Sequence, residues 1–193
     1  MIEGVMKGLI QGLTLIEDST GSMGSIFAKQ IGSLACTLEK KVILLTTEDE
    51  GATYASLELN NFSPKIVVEE LASASLAHKS EEFDVIIIDS FSVFLFDKTE
   101  AQIVGIIDDM KEYTRKGKCF VLTHDCDMVS TRVNAFLRQV ADSYVVVRTE
   151  FAGNKINRML YIPKVKSERP LAKLLKVTLE NDGVQVDTRE LIG

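Results

Sequence analysis

Leu13-Thr14-Leu15-Ile16-Glu17-Asp18-Ser19-Thr20-Gly21-Ser22-Met23-Gly24-Ser25 reads as a short buried strand, a turn rich in glycine and serine, and the opening of a helix. Beyond it Phe27, Ile31, Leu34, Ala35 and Leu38 recur at i, i+4, i+7, i+8 and i+11, one face of a helix. The alternation continues down the chain. Val42–Thr46 (VILLT) is the next strand, Ala52–Leu59 a helix, Lys65–Val68 a short strand and Glu69–His78 a further helix. Val85–Ile88 (VIII), between Asp84 and Asp89, is a strand apolar on both faces. Thr99–Arg115 is a long helix with Ile103, Ile106, Ile107 and Met110 on one side. The strand Phe120–Thr123, a helix over Val129–Ala141 and the strand Tyr144–Val147 complete the series.

Strands that are apolar on both faces need cover on both sides. Their alternation with helices predicts a parallel sheet joined by right-handed crossovers. From about residue 143 the pattern changes to strands at Tyr144–Glu150, Arg158–Val165 and Leu175–Glu180, separated by turn signals. Those signals, Ala152-Gly153-Asn154 and Asn181-Asp182-Gly183, predict antiparallel hairpins on the edge of the parallel sheet. Without an internal repeat or a low-complexity linker, residues 1–193 read as one domain.

The 193 residues, 46% hydrophobic and 26% charged, suffice for one full core and argue against long disorder. No apolar run reaches the roughly 18–20 residues that cross a bilayer. The opening MIEGVMKGLIQG lacks the basic, apolar and small-residue order of a secretion signal, so the expectation is a cytoplasmic protein. A net charge of −6 disfavours general attraction to phosphate backbones and hence broad nucleic-acid binding. Cys36, Cys119 and Cys126 form no C-x-x-C pair; Cys36 in a helical pattern and Cys119 at a strand start read as core fillers.

A phosphate-binding P-loop, G-x-x-x-x-G-K-[ST], lies between a strand and a helix. Its glycines bare the backbone N–H groups, its lysine reaches the β and γ phosphates, and its hydroxyl holds Mg²⁺. Laid over that motif, Asp18 replaces the first glycine, Met23 the second and Gly24 the lysine; only Ser25 of the four fixed positions remains. By the motif alone the stretch is a generic glycine turn before a helix. Phe83–Ser90 is an apolar strand ending in Asp89, the pattern of a carboxylate that holds a Mg²⁺ shell, with a simple turn or helix cap as the alternative. Glu48 follows Val42–Thr46 at the same sheet edge, where a carboxylate orients an attacking water; its alternative is a solvated loop acid beside Asp49 and Glu50. His124-Asp125-Cys126-Asp127 holds metal-ligand residue types, but with His78 the only other histidine it reads as a loop. Phe91, Phe94 and Phe96 are spaced for burial or for a subunit contact.

The order of these segments is more specific than any one of them. It resembles the RecA/KaiC-like ATPases, and within them the archaeal flagellum (archaellum) accessory ATPase of the FlaH type. Members of that branch run LIEGDNGTGKS, YVTTE, DVIIIDSLS and ILTxHP, then close with a hairpin carrying K-[ML]-R-G. The counterparts here are Leu15-Ile16-Glu17-Asp18, Leu45-Thr46-Thr47-Glu48, Asp84–Ser92, Val121-Leu122-Thr123-His124 and Pro163-Lys164-Val165-Lys166-Ser167.

The resemblance covers Leu13 to Leu191. It implies an α/β RecA-like P-loop NTPase fold: a mainly parallel central sheet flanked by helices, with C-terminal antiparallel hairpins. Thr20, Gly21, Ser22, Gly24 and Ser25 would form the phosphate loop, and Ser25 and Asp89 would hold Mg²⁺. Asp89 would be the Walker B acid and Glu48 the water-activating glutamate. Lys164 and Lys166 would match the K-x-R pair that reaches a neighbouring subunit's nucleotide. The ligands implied are ATP and Mg²⁺. The partners implied are further copies in a ring or filament and other proteins, beside a membrane machine but without a transmembrane segment, in an archaeal source.

Three departures bear on the chemistry: Gly24 at the lysine position, Lys166 for the arginine of the hairpin pair, and Ser167 for the glycine after it. Lysine lacks the bidentate fork of arginine, and loss of the loop lysine harms hydrolysis most. Met23 puts a side chain where the backbone must be bare, and Glu17 and Asp18 set negative charge beside an anionic ligand. Lys29, one turn past Ser25, reads as part of a solvated helix face, with a reach back to the loop as the alternative. The expectation is a hydrolysis-deficient assembly or regulatory subunit with weak or no nucleotide binding. A slow Mg²⁺-dependent ATPase using Glu48 and Asp89 is the alternative, and a recombinase-like DNA-binding protein the third.

Overall fold

Four apolar runs, each buried along its whole length, build the centre of the sheet: β1 (Gly12–Asp18), β2 (Val42–Thr46), β4 (Val85–Asp89) and β5 (Cys119–His124). The computed structural model describes residues 2–18, 23–71, 76–153, 155–167, 169–170, 174–181 and 183–186. The other strands are β3 (Val67–Glu70), β6 (Ser143–Ala152), β7 (Lys155–Lys164), β8 (Leu175–Glu180) and β9 (Gly183–Val186). The helices are α1 (Ile2–Gly8), α2 (Met23–Thr37), α3 (Glu50–Leu59), α4 (Leu76–Glu82), α5 (Phe91–Leu95), α6 (Glu100–Arg115) and α7 (Thr131–Val140).

The described strands form one sheet in the order β3-β2-β4-β5-β1-β6-β7-β8-β9. It is parallel from β3 to β6 and antiparallel from β6 to β9, the mixed architecture expected of the chain. Helix α2 covers one face, where Ile16, Phe27, Ile31, Leu44, Ile87 and Val121 share a core. Helices α6 and α7 cover the other, with Leu15, Leu45, Ile88, Ile107, Phe120 and Leu137. Each such fully buried side chain contributes about 1.5–3 kcal/mol. The close seat of α2 depends on Gly32, because a Cβ there would lie 2.7 Å from Ile87 Cδ1. No helix among the described residues is long and apolar enough to cross a membrane.

One local reading changes and two details are added. Glu69 and Glu70 continue β3 rather than opening a helix, because Leu45 and Thr46 of β2 pair with them, and the next helix begins at Leu76. Pairing with a neighbouring strand overrides their helical preference. Helix α1 adds Val5 to the α2-side core in a segment too short to show a helical period. The aromatic run divides: Phe91 is buried, Phe94 stacks on it at 5.9 Å, and Phe96 is 77% exposed. Cys36 and Cys119 are buried core residues, and burial pushes the Cys119 thiol up to about 12.

Candidate functional site at the carboxyl edge of the sheet

In a parallel sheet all carboxyl ends lie at one edge, so β1, β2, β4 and β5 deliver their last residues together. Asp89 closes β4 and is 8% exposed. Its Oδ2 accepts the Ser25 hydroxyl of α2 at 2.5 Å, and its Oδ1 accepts the Thr123 hydroxyl of β5 at 2.7 Å. The fold thus joins the two residues expected to share a metal ion, together with a third, Thr123, that sequence reasoning marked only as a strand end. The Asp89–Ser90 peptide is cis.

Glu48 stands just past β2, with its N–H donating to Thr46 Oγ1 at 3.0 Å and its side chain 61% exposed. Lys29 Nζ lies 3.9 Å from Glu48 Oε2. This corrects the reading of Lys29 as a solvated residue, since it is only 3% exposed. The reason is geometric. A helical Cβ leans toward the N-terminus, so a long side chain at i+4 from Ser25 runs back under the same edge. A pattern that sorts charged residues outward cannot register this.

The start of α2 carries a contact of its own. The Gly24 N–H donates to Asp18 Oδ2 at 2.7 Å, and Asp18 is buried. A Cβ on residue 24 would lie 3.0 Å from Asp18 Cβ. The two residues therefore fit each other: glycine at 24 makes room for the aspartate at 18, whose carboxylate accepts the Gly24 backbone N–H. The signal was present as two paired departures within one motif. Met23 is 1% exposed, its side chain in the α2-side core. Thr20, Gly21 and Ser22 lie outside the described residues.

Lys164 and Lys166 are not brought to Asp89 and Glu48 of their own chain. Lys164 Nζ donates to the Ala141 and Gln139 carbonyls, and Lys166 Nζ lies 3.9 Å from Asp142 Oδ2, all at the amino edge. At the carboxyl edge Thr47, Glu48, Asp49, Glu50 and Glu70 line a cavity of 330 Å³.

The opposite face of the same edge carries a separate polar cluster. Glu17 Oε2 accepts Arg138 Nε at 2.7 Å and the Tyr144 hydroxyl at 2.8 Å. His124 Nε2 meets Asn134 Oδ1 at 2.7 Å, while its buried Nδ1 has no hydrogen-bond partner among the described residues. Burial holds the His124 imidazole below its ordinary value, with Asn134 and Glu17 opposing. Burial, then the bond to Glu17, pushes the Tyr144 phenol upward. Asp125, Cys126 and Asp127 bring one ligand atom each within 4.8 Å of one another, but His124 is not in that group.

Comparison with known proteins agrees with this architecture. A family model described as a family of unknown function, DUF7125, matches residues 47–192. The fold is similar to that of the flagellar accessory protein FlaH from Methanocaldococcus jannaschii, with a TM-score of 0.81 and 15% identity over 96% of this chain and 94% of that one. It is also similar to a KaiC-like protein from Pyrococcus horikoshii OT3, with a TM-score of 0.73 and 14% identity over 91% and 89% of the two chains. These likenesses show that the chain shares the α/β fold of those two proteins. No curated protein matches the sequence.

Proposed function

The chain belongs to the DUF7125 family, and from the geometry of its sheet edge we propose that it is an ATPase-derived assembly or regulatory subunit that does not hydrolyse ATP and binds nucleotide weakly or not at all. The observation that carries this reading is the Asp18–Gly24 contact. Backbone N–H groups at a helix start hold phosphate through their partial positive charge. Here one of them is engaged by the chain's own carboxylate, at the position where an ATPase has its lysine. The residues present fit a nucleoside triphosphate poorly: Asp18 puts a carboxylate on the helix-start N–H, and further along the same edge Glu48, Asp49, Glu50 and Glu70 line an acidic cavity. Ser25 and Asp89 have the donor chemistry of a Mg²⁺ shell but are bonded to each other. On this reading function rests with surfaces, through self-association and protein partners of an archaellum-like or other membrane-associated machine.

The test is calorimetric titration of the purified chain with Mg-ATP and Mg-ADP. No heat up to millimolar nucleotide is the expected result. Micromolar binding would overturn the proposal, as would ATP turnover lost on Glu48→Gln.

A slow Mg²⁺-dependent ATPase is the second reading, favoured by the burial of Lys29 beside Glu48 at the edge that holds Ser25 and Asp89. There Lys29 would supply the missing cation, and Lys29→Met would abolish the turnover. DNA binding is disfavoured by the net charge of −6, and weak retention on heparin is expected.

A further inference from the structure

Strand β6 outruns the strand it joins. Asp18, the last residue of β1, pairs with Val147, and β6 continues from Arg148 to Ala152 with β7 alongside. Residues directly opposite each other share a face, so the register sorts this extension. Val147 and Leu160 pair within the α2-side core. Two positions further out Thr149 pairs with Arg158, and two further again Phe151 pairs with Ile156. In β8, Val177 lies opposite Arg158, and Leu179 follows it on the same face.

Past the cover of α2 this face stays apolar and comes to the surface. Phe151 is 74% exposed, Ile156 50% and Leu179 39%. Apolar exposure grouped in this way marks an interaction site, as scattered residues do not. Within the group Arg158 is half-buried, and its guanidinium has neither an ion pair nor a hydrogen bond among the described residues. A guanidinium carries five N–H donors, and drawing it among apolar side chains without an acceptor is unfavourable. Glu150, Lys176 and Glu180 belong to the opposite face by the same alternation. Arg158 is thus the one charge on this face of the extension among the described residues.

We infer that this shelf docks an amphipathic helix of a partner protein, its apolar side on Phe151, Ile156 and Leu179 and an aspartate or glutamate on Arg158. The inference rests on the protein-partner part of the proposed function and names the surface and the chemistry it takes. Strands lie about 4.8 Å apart, so β6 to β8 span about 10 Å, the diameter of one helix. Helix α2 covers the same face further in, and the partner helix extends that cover. Charge selects the occupant, because arginine grips a carboxylate through two parallel N–H···O bonds. An anionic bilayer is disfavoured by the net charge of −6.

Fluorescence anisotropy tests the inference, with a labelled amphipathic helical peptide of leucine and glutamate titrated with the full chain. Micromolar binding is expected. Arg158→Gln weakens it about tenfold or more, and so does Phe151→Ser with Ile156→Ser. Arg148→Gln, which removes the same charge from the opposite face, leaves it unchanged. A leucine–glutamine peptide binds the wild type and Arg158→Gln alike. A second measurement needs no ligand: Arg158→Leu raises Tm by about 2–4 °C, because an unpaired charge leaves an apolar setting. A fall in Tm would show that the arginine serves its own fold and would overturn the inference. So would absent peptide binding, or binding that ignores Arg158→Gln. Displacement of the peptide by Mg-ATP, Arg158-dependent cosedimentation with phosphatidylglycerol vesicles, or a dimer that Arg158→Gln dissociates would each give the shelf to another occupant and overturn it as well. Peptide binding together with micromolar, non-competing nucleotide binding would sink the proposed function and spare the shelf. No peptide binding with a silent nucleotide titration would do the reverse.

Discussion

At the end of β1, Glu17 faces α7 and Asp18 faces α2, as the alternation of a strand requires. On the α7 face the carboxylate meets a guanidinium and a phenol and forms an ordinary structural ion pair. On the α2 face the next carboxylate meets a backbone N–H at a helix start. Two adjacent acids of one strand therefore do different work. Glu17 ties α7 to the sheet, whereas Asp18 holds the first turn of α2. Acidity at this edge is not one property, and what each carboxylate does depends on the partner opposite.

Breaking the α2 side is expected to cost most. Asp18→Ala leaves the Gly24 N–H without its charged partner and removes an acid from the start of α2, for a loss of about 2–3 kcal/mol. Urea denaturation measures it, and a loss below that of the α7-side variant would reverse the ranking. On the α7 side, Arg138→Ala strands a nearly buried Glu17, but Arg138 is 41% exposed and solvent screens the pair. The expected loss is about 1–2 kcal/mol. Gly24→Ala should cost about 1 kcal/mol through crowding against Asp18, and less in an Asp18→Gly background. Additive costs in that double-mutant cycle would show that the two positions do not fit each other. The smallest effect is a slope. His124 is held below its ordinary value of 6.5 mainly by burial. Below pH 6.5 the unfolded chain therefore gains a proton that the folded chain resists. Its contribution is complete above that pH and is lost as pH falls. His124→Gln should flatten the thermal-stability profile in this window, and an unchanged profile would place the titration elsewhere.

Much of the fold was legible because burial on both faces writes itself as uninterrupted Val, Ile and Leu, as at Val85–Ile88. The positions of Ser25 and Asp89 were legible for the same reason, since strand ends and helix starts locate them. The contact of Asp89 with Thr123 was not, because it depends on β5 lying beside β4. Lys29 was misread because periodicity records the direction of a Cβ and not the reach of four methylenes behind it. Glu69 and Glu70 escaped because their strand state comes from β2. The opposed directions of Glu17 and Asp18 were latent in the period of two, but nothing in the sequence names Arg138 as a partner 121 residues away.

The Asp18–Gly24 contact has a consequence for thermal linkage. A ligand that binds only the folded state stabilises it in proportion to the logarithm of its concentration, so a nucleotide-dependent protein melts at a temperature that follows the cell's adenylate pool. An anion carried on residue 18 cannot be diluted, exchanged or consumed. On the proposed reading the start of α2 is held with constant strength, in a fed cell and a starved one alike.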